Sequence, residues 1–278
     1  MNETELPLTL LASVAADAAR AAGAVLLEQW KVGYTIRFKG DIDLVTDADQ
    51  RAEETIVSIL RSRFPNHQLL AEEGTTGGAS SSYRWIIDPL DGTTNYAHRY
   101  PHFAVSIALE RAGALIVGVV YDPVLDELFE ARLDEGAYLN GKPLHASVVD
   151  QLLRALLCTG FPYNRELFDS CLRQWEYFVR RSQAVRRDGS AALDMCYVAA
   201  GRFDGYWEEY LAPWDIAAGI LIVREAGGIV TNLQGGQPDI FHGGVLATNG
   251  LIHDAMLAGL AACQSPHHPK SEGPEQLP

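Results

Sequence analysis

Residues 85–96 read WIIDPLDGTTNY. Trp85, Ile86 and Ile87 are large, apolar and rich in β propensity, so they predict a buried strand that ends in Asp88, Pro89 and the run Gly92, Thr93, Thr94. Pro89 has no N–H for a ladder and Gly92 tolerates positive φ, so a tight turn is expected, bringing Asp91 back beside Asp88. Two carboxylates in so small a space repel, and no Lys or Arg lies between Asp88 and Asn95 to neutralise them. A hard cation such as Mg²⁺ resolves that conflict, with the Leu90 carbonyl as a further oxygen donor. The hydroxyls and N–H groups of Thr93 and Thr94, at a potential helix start, suit a phosphate. An ordinary Asx-type turn with solvated acids uses the same Asp, Pro and Gly, so these residues alone leave both readings open.

Beyond this stretch, a chain of 278 residues with 47% hydrophobic residues supports one large core or two fused subdomains. With no internal repeat or long linker, a single catalytic domain over residues 1–263 is expected. A soft division near residue 150 separates an N-terminal α+β part from a C-terminal α/β part. Residues 264–278, rich in Pro, His, Ser and Glu, predict a disordered tail in which His267 and His268 are solvent-exposed. The formal net charge of −14 argues against non-specific binding to nucleic acid or anionic membranes. Cys158, Cys171, Cys196 and Cys263 form no C-x-x-C pair, which fits a reduced, cytoplasmic protein. The N-terminus lacks the pattern of an export signal, and no run of 18 or more apolar residues occurs, so neither export nor membrane insertion is expected.

Along the chain, helical periodicity runs from Leu8 to about Trp30 and again from Asp47 to Arg63, with Thr46, Asp47 or Asp49 as caps of the second helix. Between them Tyr34 to Phe38 predicts a short strand. HQLLAEEG repeats the opening pattern, an apolar strand feeding Glu72 and Glu73, and GTTGGASSS at 74–82 predicts a flexible loop that could act as a flap. Residues 102–109 and 114–121 predict a hairpin, with further strands at 127–131 and 137–139 and a turn at Asn140-Gly141, so the sheet is mainly antiparallel. The cluster Arg180, Arg181, Arg186 and Arg187 predicts a surface or subunit contact, with a phosphate-facing role as the alternative. A small-residue helix and a strand ending in Glu208 follow. Pro213 then opens a helix that Gly227-Gly228 stops. Asp215 either caps that helix or points into a pocket where it completes a cation cage.

Together AEEG (71–74), DPLDGTTN (88–95) and PWDIAAG (213–219), with DLVTDAD (43–49) and GSAAL (189–193), resemble the signature segments of the inositol monophosphatase family. The similarity runs from about residue 8 to 262. It implies an α+β fold, a layered αβαβα sandwich of the inositol monophosphatase and sugar phosphatase type. It also implies a homodimer and a Li⁺-sensitive phosphomonoesterase with two or three Mg²⁺ per site. Position by position, Glu72, Asp88 and the Leu90 carbonyl would hold one ion, Asp88, Asp91 and Asp215 a second, and a looser third would lie near Glu72. Asp49, Glu72 and Thr93 would be catalytic, with Asp49 orienting the Thr93 hydroxyl. Gly92, Thr93 and Thr94 would bind phosphate; Asp91, Ala191, Glu208 and Asp215 would complete the substrate site. Lys39 and Glu73 would support it. The implied reaction hydrolyses inositol 1-phosphate or a related polyol or sugar phosphate to the alcohol and inorganic phosphate by a metal-activated water. Alternatives are a fructose-1,6-bisphosphatase or histidinol-phosphatase of the same superfamily, or a phosphatase fold with an added regulatory or RNA-related role. Residues 159–187 align to no substrate-contacting motif. A small phosphorylated polyol or sugar is the expected partner, with no membrane and no nucleic acid.

Overall fold

The computed structural model of the chain describes residues 6–38, 44–74, 76–77 and 81–264. Helices α1 (Leu8–Val32) and α2 (Asp47–Arg63) flank a ribbon of β1 (Ile36–Phe38) and β2 (Leu44–Thr46). Next come β3 (Gln68–Ala71), β4 (Thr76–Gly77), β5 (Tyr83–Asp91) and the short α3 (Thr93–Ala97). A meander follows: β6 (Ala104–Arg111), β7 (Ala114–Asp122), β8 (Glu127–Arg132), β9 (Gly136–Leu139) and β10 (Lys142–Pro143). The remaining strands and α-helices are β11 (Leu156–Thr159), α4 (Phe168–Val179), β12 (Ala184–Arg186), α5 (Ala191–Ala199), β13 (Gly205–Glu208), α6 (Pro213–Glu225), β14 (Ile229–Thr231), β15 (Val245–Thr248) and α7 (His253–Gln264).

Eight strands form one sheet in the order β10-β9-β8-β7-β6-β5-β3-β4, and five form another in the order β12-β11-β13-β15-β14. Among the described residues of the large sheet only β3 and β5 pair in parallel, so it is mainly antiparallel as the strand pattern predicts. Alternation along each strand feeds two apolar layers at once. Trp85 and Ile87 of β5, with Val105, Ile107 and Leu109 of β6, pack with Leu11, Ala15, Ala18 and Ile56 from α1 and α2. Ile86, Ala104 and Ala108 point the other way, against α5 and α6, and meet Cys158, Tyr206 and Val245 of the small sheet across those helices. On the far face of the small sheet, Leu157, Trp207 and Leu246 pack with Phe178 of α4 and Met256 and Leu260 of α7. The result is the expected αβαβα sandwich. By length and hydropathy α1 could cross a membrane. Its apolar stripe, Leu11, Ala15, Ala18, Ala22 and Leu26, is instead buried in the first core.

Two expectations are corrected. The chain does not turn sharply at Asp88-Pro89; β5 runs on to Asp91 through a register shift between Asp88, opposite Ser106, and Asp91, opposite Ala104. Pro89 is tolerated because such an irregularity demands no ladder N–H from it. Within the expected loop at 74–82, Thr76 and Gly77 pair antiparallel with Leu70 and Leu69. The tail from residue 265 and Lys39 lie outside the described residues.

Candidate active site

Of the carboxylates singled out as candidate metal ligands, those of Asp88, Asp91 and Asp215 are each fixed by a backbone N–H group. In a regular strand residues three apart face opposite sides, so Asp88 and Asp91 would diverge; the bulge between them returns both to one side. Asp88 Oδ1 accepts from the Leu90 N–H at 2.9 Å. Asp91 Oδ2 accepts from the Ala192 N–H at 2.8 Å and from the Ser190 hydroxyl, which ties β5 to the start of α5. Glu72 follows β3, and its N–H donates to the Ile87 carbonyl at 3.2 Å, extending the parallel pairing beside Asp88. Asp215, in the first turn of α6, accepts from the Ala212 N–H at 2.8 Å. Asp215 therefore caps its helix and lines the cleft at once.

Gly92 takes φ +93°, and a Cβ there would stand 3.1 Å from the His102 carbonyl oxygen, so the turn into α3 needs glycine. Thr93 Oγ1 lies 3.0 Å from the Leu90 carbonyl and 3.3 Å from Asp49 Oδ1. Asp49 is fully buried in the first turn of α2, where Oδ2 accepts the Thr46 N–H at 2.8 Å and the Thr46 hydroxyl at 2.5 Å. Opposite, Glu208 ends β13 with Oε2 accepting from the Tyr206 hydroxyl at 2.6 Å. A Cβ at Gly160 would sit 1.9 Å from that oxygen, so glycine makes room for Glu208.

Glu72, Asp88, Leu90, Asp91, Gly92, Thr93, Thr94, Ala191, Glu208 and Asp215 all line one cleft of about 750 Å³. Asp49 does not line it but reaches it through Thr93. Glu73 also stands off the lining; its N–H donates to the Glu53 carboxylate of α2 at 2.9 Å. Reading the chain alone missed two contributors, Ser190, which holds Asp91, and Gly160, beside Glu208; of the arginine cluster assigned to a surface contact, Arg187 lines the cleft and Arg180 does not. A Gly-Ser pair before an apolar helix is an N-cap signal that marks Ser190. Arg187 is placed by the long-range pairing of β12 with β11, which leaves no local pattern.

Charge in the cleft is lopsided. Among its described lining residues Arg187 is the sole Lys or Arg against six acids. Burial, then Glu72, Asp91 and Asp215, push the Asp88 carboxyl well above its ordinary range. Burial and Asp91 do the same to Asp215. Burial raises Asp91 to about 6 against the pull of Ser190 and Ala192, raises Asp49 to about 6, and raises Glu208 to about 7. An all-oxygen donor set, three of its carboxylates held by backbone N–H groups and short of countercharge, fits hard divalent cations.

Fold and site together define a protein of the layered αβαβα class with a carboxylate-lined cleft. A sequence model of the inositol monophosphatase family matches residues 8–266, and the chain belongs to that family. It is 47% identical over 252 residues to the inositol-1-monophosphatase of Synechocystis, covering 90% of this chain and 88% of that protein. It is 43% identical to the Nus factor SuhB of Salmonella typhimurium, covering 89% and 94%. Among solved structures, SuhB of Bartonella henselae superposes with a TM-score of 0.87 at 40% identity, covering 90% of this chain and 98% of that one. An IMPase/NADP phosphatase complexed with Mg²⁺ and phosphate superposes with a TM-score of 0.81 at 26% identity, covering 92% and 96%.

Proposed function

We propose that the chain is a Mg²⁺-dependent phosphomonoesterase that hydrolyses inositol 1-phosphate or a related polyol or sugar phosphate. The observation that carries this reading is the convergence of Glu72, Asp88, Asp91 and Asp215, from three separate segments, on one cleft beside the hydroxyls of Thr93 and Thr94. Glu72, Asp88 and the Leu90 carbonyl would hold one Mg²⁺, and Asp88, Asp91 and Asp215 a second. When bound, the ions supply Lewis-acid activation of water and stabilisation of the leaving oxygen. The chain's own groups do the rest. Asp49 accepts from the Thr93 hydroxyl, so the Thr93 oxygen can take a proton from the attacking water while its own passes to Asp49, with Glu72 as a second acceptor; the N–H groups at Gly92, Thr93 and Thr94 would face the phosphate. Glu208 and the backbone at Ala191 present acceptor and donor to the substrate's hydroxyls.

The 47% identity to an inositol-1-monophosphatase supports inositol phosphate first, with fructose 1,6-bisphosphate and histidinol phosphate as alternatives. Initial rates on those three and on adenosine 3′,5′-bisphosphate rank the substrates. Asp88→Asn should abolish Mg²⁺-dependent turnover, and full activity in that variant would overturn the reading. Li⁺ inhibition and a homodimer belong to the same proposal. The four cysteines are unpaired and buried, which supports a reducing, cytoplasmic setting.

The 43% identity to a protein named a Nus factor supports a second role beside catalysis. The exposed Arg180, Arg181 and Arg186 are a candidate surface for it. A partner or RNA captured by the wild type and by Asp91→Asn, but not after charge reversal of those arginines, would bear that role out; capture indifferent to the arginines would reject this surface.

A further inference from the structure

Beside the cleft, His102, Asp188 and Asp194 come together from the loop before β6, the turn before α5 and α5 itself. One ligating atom of each lies within 4.8 Å of the others. His102 Nε2 and Asp194 Oδ1 face one another at 4.0 Å, too far for a hydrogen bond. Neither has a hydrogen-bond partner, although His102 is only 9% and Asp194 1% exposed. Leaving such polar atoms buried and unpaired costs on the order of 1–3 kcal/mol each. The backbone holds the arrangement in place. The Asn95 amide donates to the carbonyls of both His102 and Asp188, at 2.8 Å each, locking the two loops together. The fully buried Cys158 thiol adjoins the Asp194 carboxyl.

Two atoms each about 2 Å from a tetrahedral ion stand roughly 3.3 Å apart, so the 4.0 Å gap between the two orphaned atoms has to narrow slightly for an ion to seat between them. Asp188 is the half-buried member and lines the cleft, so the cleft provides an entry path for an ion. An imidazole nitrogen with two carboxylates suits a borderline transition ion; Mg²⁺ prefers oxygen alone. We propose that His102, Asp188 and Asp194 form a second metal site, distinct from the four-carboxylate cleft, selective for an ion such as Zn²⁺. An ion there would pin the turn that carries Arg187 and Ser190, and Ser190 in turn holds Asp91. The site is therefore structural for the cleft wall, and its existence does not depend on which phosphate ester the cleft hydrolyses.

Zn²⁺ retention after desalting, measured by elemental analysis with the whole chain in saturating Mg²⁺, tests it. One Zn²⁺ equivalent should stay with the wild type and with Asp88→Asn, and His102→Gln and Asp188→Asn should each bind it at least about tenfold more weakly. Co²⁺ in place of Zn²⁺ should give a visible absorption band that the same two variants lose. No retained Zn²⁺ in the wild type, retention that survives both substitutions, or loss on Asp88→Asn instead would overturn the proposal. If His102→Gln does not fold, Asp188→Asn decides, because its side chain reaches the cleft surface and its removal empties no core.

Discussion

Thr93 has one hydroxyl proton and two acceptors in reach, the Leu90 carbonyl at 3.0 Å and Asp49 Oδ1 at 3.3 Å. Which acceptor receives it is set by Asp49, whose other oxygen is fully used by the N–H and hydroxyl of Thr46. In Asp49→Asn the amide oxygen must take over those two bonds, so its NH₂ group turns toward Thr93 as a donor. The hydroxyl can then donate only to Leu90. On the proposed reaction kcat should fall about 100-fold, the scale of a lost general acid–base contribution. Stability should not fall with it, because the substitution also removes a carboxyl that burial has pushed up to about 6. Thr93→Ser, which keeps the hydroxyl, should retain most of the rate. Full kcat in Asp49→Asn, with an unchanged melting temperature, would remove Asp49 from the proton path.

Between elements, the close fit of α6 on the large sheet sets where Asp215 points. A Cβ at Gly118 on β7 would stand 2.7 Å from the Ala218 carbonyl oxygen, a backbone atom that cannot swing aside. Gly118→Ala should therefore push α6 outward and cost roughly 1–3 kcal/mol in urea unfolding, as overpacking does. It should also weaken the Mg²⁺ dependence of activity, since Asp215 rides on the first turn of that helix. An unaltered Mg²⁺ requirement would mean that the helix start is held independently of its middle. This packing was invisible in the sequence, where Gly118 is one small residue inside a strand. Strand and helix identities were legible wherever a local pattern carried them: α2 capped at Thr46, the hairpin of β6 and β7, and Pro213 opening α6. Local chemistry misled at Asp88-Pro89. A turn and a bulge use the same residues, and only the pairing with β6 decides between them. The cleft wall from Phe161 to Tyr163 escaped, and the place of Arg187 stayed open between surface and cleft, for a related reason, since irregular segments are placed by long-range contacts.

Across the whole molecule, crowded carboxyls make folding and ion binding a single equilibrium that pH controls. In the ion-free chain Asp49 and Asp91 titrate near 6 rather than 3.8, and Glu208 near 7 rather than 4.5. Between about pH 4 and pH 7 the unfolded chain has released protons that the native chain keeps. The native state then binds more protons, and stability falls as pH rises through that window. Divalent cations act in the opposite sense, because they bind the ionised carboxylates and expel the protons. A chelated sample should therefore lose melting temperature from about pH 5 to about pH 7.5, while saturating Mg²⁺ should raise it more at the upper pH than at the lower. Asp91→Asn removes one of the raised groups and should flatten the chelated profile while shrinking the Mg²⁺ shift. Were the chelated protein instead to gain stability across the same window, its acids would be paired with positive groups in the native state. The four carboxylates could not then be the unneutralised cage that draws the cations in.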